Sequence, residues 1–165
     1  MIGQAPRPCL DTAQVMLRDA TTDDLDAVMT IMGAAFEPSY GEGWTRSQCA
    51  GILPMAGVAL RLASRADGAV AGFALMRVIA DEAELLLIAV DPAAQQNGVG
   101  SALVADFLAR AGQDGARRFH LEVRDGNAAI GIYERAGFRL VGRRRDYYRG
   151  VDGHRSDALT LASEP

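Results

Sequence analysis

The stretch from Leu85 to Val123 constrains the fold most. An extended apolar run is followed by a glycine-bearing loop, an amphipathic helix and a second strand-like segment. Such a strand–helix–strand succession suits a right-handed crossover between parallel strands. What precedes it reads differently. Val58 to Arg65, Val70 to Ile79 and Glu84 to Val90 are extended segments separated by the Ala66-Asp67-Gly68 and Asp81-Glu82 turns, a pattern of antiparallel hairpins. One parallel step inside an otherwise antiparallel order predicts an α+β domain rather than a doubly wound one.

The remaining elements fit around that frame. A strand over Val15 to Arg18 leads into Thr21-Thr22-Asp23-Asp24, residues that suit a helix start, and Leu25, Val28, Met29, Met32 and Phe36 then recur at helical spacing. Pro38 and the glycines around Glu42 end that helix, and a short one is expected from Arg46 to Leu53. Leu103, Val104, Phe107 and Leu108 mark the crossover helix, which stops near Gly112 or Gly115. Arg118 to Val123 is a strand, Asn127 to Arg135 a helix, and Phe138 to Arg145 and Ala158 to Ala162 are the last two strands. The expected domain therefore covers residues 15–165, behind a flexible tail at 1–14. Its order is β-α-α-β-β-β-α-β-α-β-β, a mixed, mostly antiparallel sheet flanked by about four helices. With 165 residues, 49% of them hydrophobic, one core is affordable without disulfides.

Charge narrows the function classes. The 17 basic residues are all arginine, against 21 acids, for a net charge of -4, so coating nucleic acid is not the expected role. The first 95 residues carry 12 acids and 6 arginines, the rest 9 acids and 11 arginines, so an anionic ligand belongs with the second half. Cys9 and Cys49 have no disulfide or zinc spacing, and no metal is expected. No apolar run approaches the length of a membrane span, so a cytoplasmic location without a membrane partner is expected.

Between the strand ending at Val90 and the crossover helix stands Gln95-Gln96-Asn97-Gly98-Val99-Gly100-Ser101. Glycines here let backbone N–H groups approach a ligand while the new helix presents its positive end, an arrangement that suits a pyrophosphate. The same pair of glycines is also what an ordinary tight turn contains. A Walker loop is excluded because no Gly-Lys-Ser/Thr occurs, and the dinucleotide fingerprint fails for want of its third glycine.

The pattern Gln95-x-x-Gly98-x-Gly100 after Ile88-Ala89-Val90-Asp91-Pro92, then Leu121-Glu122-Val123-Arg124 and Ala129-x-x-x-Tyr133-Glu134-x-x-Gly137-Phe138, resembles the GNAT superfamily of acyl-CoA-dependent N-acetyltransferases. Within it the chain most resembles the ribosomal-protein-alanine (RimI-type) N-acetyltransferases, through Asp81 to Leu85, Arg144-Arg145-Asp146-Tyr147-Tyr148, Asp152-Gly153 and Asp157-Ala158. The resemblance implies acetyl-CoA as donor. It places the coenzyme on Ile88, Ala89, Val90, Gln95, Gln96, Asn97, Gly98, Val99, Gly100 and Ser101, with further contacts from Asn127 and Arg135. Glu122 is implied as general base and Tyr133 as general acid, and Trp44, Leu87, Tyr147 and Tyr148 as the acceptor's surroundings.

Each of these residues also has a plainer reading. Glu122 fits the solvent side of an alternating strand, Tyr133 a core aromatic, Tyr147 and Tyr148 strand aromatics, and Arg135 a helix-surface charge. The run Arg143-Arg144-Arg145 fits either a solvated face or proximity to RNA. Glu84 is a second carboxylate candidate, placed early on its strand. His120 and His154 lack metal spacing. The spacing from Glu122 to Tyr133 is one residue shorter than is usual in the family, so Asn127 serves as the helix-start asparagine only by a one-residue slip. The function implied is acetyl transfer to a primary amine, foremost the α-amino group of a protein such as a ribosomal protein. The alternatives are a small amine or amino acid as acceptor, or a non-catalytic acyl-CoA-binding module.

Overall fold

A computed structural model describes residues 14–164, so the expected tail lies, except for Gln14, outside the described residues. Seven strands form one sheet in the order β1-β2-β3-β4-β5-β7-β6. They are β1 (Met16–Ala20), β2 (Val58–Ser64), β3 (Val70–Ile79), β4 (Glu82–Val90), β5 (Arg118–Arg124), β6 (Arg139–Arg149) and β7 (Arg155–Ser163). Only β4 and β5 pair in parallel, across the crossover that the Leu85–Val123 pattern predicts. The helices are α1 (Leu25–Ala35), α2 (Arg46–Ile52), α3 (Val99–Gln113) and α4 (Ile130–Arg135).

Two apolar clusters hold these layers together. Leu25, Val28, Ile31 and Met32 of α1 and Cys49 of α2 pack with Leu60, Leu62, Phe73, Leu75 and Leu87. Val99, Leu103, Val104 and Phe107 of α3 and Tyr133 of α4 pack with Met76, Leu85, Phe119, Leu121 and Phe138. The sheet is thus covered on both sides. Local chemistry fixes where helices begin: Thr21 and Asp24 form a capping box around the 3₁₀ turn leading into α1, and Thr45 with Gln48 does the same at α2. The buried Arg61 ties β2 to α3 through a two-pronged contact with Asp106, at 2.7 and 3.1 Å, and to β1 through Asp19 at 2.9 Å.

The site depends on an irregularity in β4. Leu75 pairs with Leu87 but the next position, Met76, pairs with Leu85, so Leu86 is an extra residue, a β-bulge. In a regular strand Leu85 and Leu87 would share a face. Here Leu85 belongs to the α3-side cluster and Leu87 to the α1-side cluster.

The sequence-based boundaries shift at the C-terminal end. β6 runs to Arg149 and β7 begins at Arg155, longer than expected, because β6 absorbs a bulge between Arg144 and Tyr148 where Asp146 adopts φ 52°. α4 starts at Ile130 rather than Asn127. Asn127 Oδ1 instead accepts the Ala129 N–H at 2.8 Å, which fixes residues 127–129 as a turn.

Candidate active site

β4 and β5 are paired at only four positions, Glu82–Leu85 against Arg118–Leu121. Past the Leu86 bulge β4 remains paired to β3 alone, and β5 continues on β7, so the two strands part and leave a wedge in the sheet. Leu86 to Val90 present an unpaired backbone edge to that gap, which is what an extended ligand arm with amide groups would pair with. Ile88 and Val90 pack toward α3, Leu87 and Ala89 toward α1.

The wedge opens at the loop expected to hold a pyrophosphate. Asp91 caps a 3₁₀ turn at Pro92–Ala94, Gln95 Nε2 reaches back to the Val90 carbonyl at 3.5 Å, and Gln96 takes the left-handed conformation at φ 63°. Gly98, the N-cap of α3, has φ 80°, and a Cβ there would meet nothing within 4 Å. No side chain caps α3, and its first ladder bond runs from the Ala102 N–H to the Gly98 carbonyl. The amides of Val99, Gly100 and Ser101 therefore lack intrahelical acceptors at the positive end of a 15-residue helix. Gly100 lets α4 close in, since a Cβ on it would stand 3.0 Å from Ile132 Cδ1. This cradle suits the phosphates of a coenzyme.

Glu122 stands on β5 one residue past its last pairing with β4, and Tyr133 lies on α4 within the α3-side cluster. Glu122 alternates with Leu121 and Val123, whose side chains are in the α3-side core, so it faces the other side, half-buried, with Arg144 Nε 3.0 Å from its Oε1. The Tyr133 ring is buried edge-on to Phe138. Among the described residues the one sealed, unpartnered side-chain polar atom is Arg124 Nε. Burial, and secondarily the charge of Glu42, pushes the Tyr133 hydroxyl far above the ordinary phenol range. It stays an O–H donor at any physiological pH.

The structure separates the neighbouring tyrosines. Tyr147 is exposed, edge-to-face on Tyr148 at 5.1 Å, with the Arg144 guanidinium over its ring. Tyr148 faces inward, and its hydroxyl is raised by burial and by the charges of Glu42 and Glu122. Trp44 packs on the α1-side cluster, and Leu87 is buried within it. Arg135 folds back along α4 toward Gly131 and lines a shallow groove with Phe138 and Leu140. Glu84 sits before the bulge, at the closed end of the wedge, bonded to Arg77 at 2.8 Å and 4.0 Å from His120.

One group was not singled out from the sequence. Glu42, in the loop before α2, accepts from Asn127 Nδ2 at 2.9 Å and lies 3.3 Å from Arg124 Nε, while Arg124 stacks 3.8 Å over the Tyr40 ring. Both polar ends of Asn127 thus already have protein partners. No local pattern joins positions 85 residues apart. The only sequence signal was Glu42 itself, a charge in an otherwise glycine- and aromatic-rich loop. Among the described residues no group of three or more His, Cys, Asp or Glu is placed to hold a metal, and no helix is long and apolar enough to cross a membrane.

Residues 25–138 match the Acetyltransferase (GNAT) family. The chain belongs to the GNAT family. Within it, this GNAT domain is 43% identical over 97 residues to the [ribosomal protein bS18]-alanine N-acetyltransferase of Escherichia coli K12, a match covering 58% of the chain and 65% of that relative. It therefore spans just under two thirds of that relative's length. A mycothiol acetyltransferase of Clavibacter sepedonicus is 35% identical over 134 residues, 77% of the chain and 43% of its own length. Among solved structures, the Escherichia coli ribosomal-protein-S18-alanine N-acetyltransferase superposes with a TM-score of 0.80 at 33% identity, covering 92% of this GNAT chain and 94% of the other.

Proposed function

We propose that this protein transfers the acetyl group of acetyl-CoA to the α-amino group of a protein N-terminus, a ribosomal protein being the foremost acceptor, in the reducing cytoplasm. The observation that supports this reading is the wedge between β4 and β5, with a helix N-terminus at its mouth and the Glu122 carboxylate just past the last paired position. The amides of Val99 to Ser101, with the loop from Gln95, would hold the pyrophosphate, and the free edge of Ile88 to Val90 would hold the pantetheine arm and orient the thioester carbonyl. Asn127 would join them only by exchanging one of its present partners, and Arg135 only by swinging from its groove.

The acceptor must be a neutral amine when it attacks. An α-amino group, with a pKa near 8, is already partly neutral at pH 7, whereas a lysine near 10.4 is not. Glu122, directly or through one water, takes the surplus proton as nitrogen bonds to the acetyl carbon. Tyr133 donates its proton to the departing sulfur as the carbon–sulfur bond breaks. No covalent enzyme intermediate is needed, and the buried Cys49 takes no part. Trp44, Leu87, Tyr147 and Tyr148 would shape the acceptor's approach.

The match to a mycothiol acetyltransferase favours a second reading, in which the acceptor is a small amine. Thiol release from acetyl-CoA decides between them, assayed with peptides beginning Ala, Ser or Met, an N-terminally blocked lysine peptide and simple amines. Turnover confined to free α-amino peptides is expected. Turnover of small amines alone would overturn the N-terminal assignment, and coenzyme binding without turnover of any amine would leave only a binding module.

A further inference from the structure

Arginines are not distributed alike in the two halves of the sheet. Every described arginine ahead of β4, namely Arg18, Arg46, Arg61, Arg65 and Arg77, is paired with an aspartate or glutamate. At the far edge Arg135, Arg139, Arg145, Arg149 and Arg155 are exposed and make no ion pair among the described residues. Carboxylates close to them are already engaged: Asp125 and Asp157 by Arg143, each at 2.7 Å, and Glu122 by Arg144. Glu134, Asp146 and Asp152, the other acids of this stretch, pair with none of the five, and Arg139 bonds only to the carbonyls of Glu134 and Phe138. Arg149 and Arg155 stand directly opposite each other in the β6–β7 ladder, a like-charge pairing that is unfavourable until an anion joins them.

β6 is the last strand of the sheet, so this strip is open along 11 residues, roughly 30 Å. The net charge of -4 excludes a coat of nucleic acid over the molecule but not a local contact. A second copy of β6 laid on this edge would set arginines against arginines. An added peptide strand needs a regular edge, and β6 is interrupted after Leu140 and again between Arg144 and Tyr148. A nucleic-acid strand meets neither obstacle. Its phosphates form a row that guanidinium groups grip in two-pronged fashion, and its unpaired bases can stack on the exposed ring of Tyr147. We propose that the outer strip of β6 and β7 docks single-stranded nucleic acid, with phosphates on Arg139, Arg145, Arg149 and Arg155 and a base on Tyr147. This adds a partner to acetyl transfer and does not depend on which amine is acetylated.

Fluorescence anisotropy of a labelled oligouridylate of about 15 nucleotides tests the contact. The protein is expected to bind it, with affinity falling steeply between about 50 and 200 mM salt. Arg145→Gln, Arg149→Gln and Arg155→Gln combined should weaken binding about tenfold or more and flatten the logarithmic salt slope by about 2, with Tm and the KM for acetyl-CoA unchanged. Arg18→Gln, Arg46→Gln and Arg65→Gln combined remove the same charge from the other half and should leave the affinity as it was. Binding should also persist at saturating acetyl-CoA. Absence of binding at about 50 mM salt overturns the proposal. So does an equal loss in the two triple variants, or displacement of the strand by acetyl-CoA, which would seat it in the coenzyme's place. Equal affinity for labelled polyglutamate, which has charge but no bases, would make the strip a surface for acidic proteins and overturns it as well.

Discussion

In the proposed mechanism Tyr133 is the proton donor, and burial holds its proton in place. A phenol at its ordinary value would begin to ionise near pH 10, and burial moves that upward. We therefore expect the kcat profile to rise from acid pH and to show no falling limb below about pH 10. The same shift acts on stability. The folded state binds this proton more tightly than the unfolded chain, so the contribution is fully present below pH 10 and is lost as pH rises beyond it. Tyr133→Phe should lower kcat about a hundredfold or more in a steady-state assay while leaving coenzyme affinity within about threefold. Arg61 belongs to stability instead. Its side chain is 7% exposed and faces Asp106 at 14%, so Arg61→Ala would strand a carboxylate in the interior. A loss of about 3 kcal/mol in denaturant unfolding is expected, with part of it recovered in the double variant carrying Asp106→Asn.

The elements differ in how far the chain announces them. The helical spacing from Leu25 to Phe36, the alternation around Leu121 and the caps at Thr21 and Thr45 are local signals, and the corresponding elements stand within a residue or two of their expected ends. The position of the Gln95–Ser101 loop between β4 and α3 was legible too, because Asp91-Pro92 and the glycines mark where a strand stops and a helix begins. The Leu86 bulge was not. An apolar run such as Leu85 to Val90 contains no polar residue to show where the faces exchange, so only the pairing with β3 reveals it. The bulge in β6 was hidden in the same way, and the contact of Glu42 with Asn127 is set by tertiary structure alone. The start of α3 offers a test at this scale. Ser101→Glu would place a carboxylate in the first turn, where it complements the helix dipole and competes for the amides an anion would use. Coenzyme affinity by calorimetry should fall about tenfold or more, with Tm unchanged or slightly higher.

The whole molecule divides along the wedge. β1 to β4, with α1 and α2, make one half-sheet, and β5 to β7 make the other, joined by four paired positions and bridged by α3. The half carrying Glu122, Tyr133 and the arginine-rich β6 is also the one with a positive balance of charge. Coenzyme in the gap would act as a missing strand. At a hundred times its dissociation constant acetyl-CoA should add about 2.7 kcal/mol to stability, read as a higher Tm. Hydrogen exchange should slow at the amides of Leu86 to Val90 and Val99 to Ser101. Unchanged exchange there would count against the proposed seat of the coenzyme.

The strand order has a consequence for how the chain acquires its structure. β1 to β4 lie side by side in order of synthesis, apart from the helical excursion before β2, so this half-sheet is complete once Val90 has been made. Neither Glu122 nor Tyr133 exists at that moment. The second half closes on itself by the local β6–β7 hairpin, whose β7 strand lies between β6 and β5 in the sheet. The short seam between the halves, having the fewest pairings, is then the part expected to lock last, and the cleft is born only when two separately ripened pieces meet.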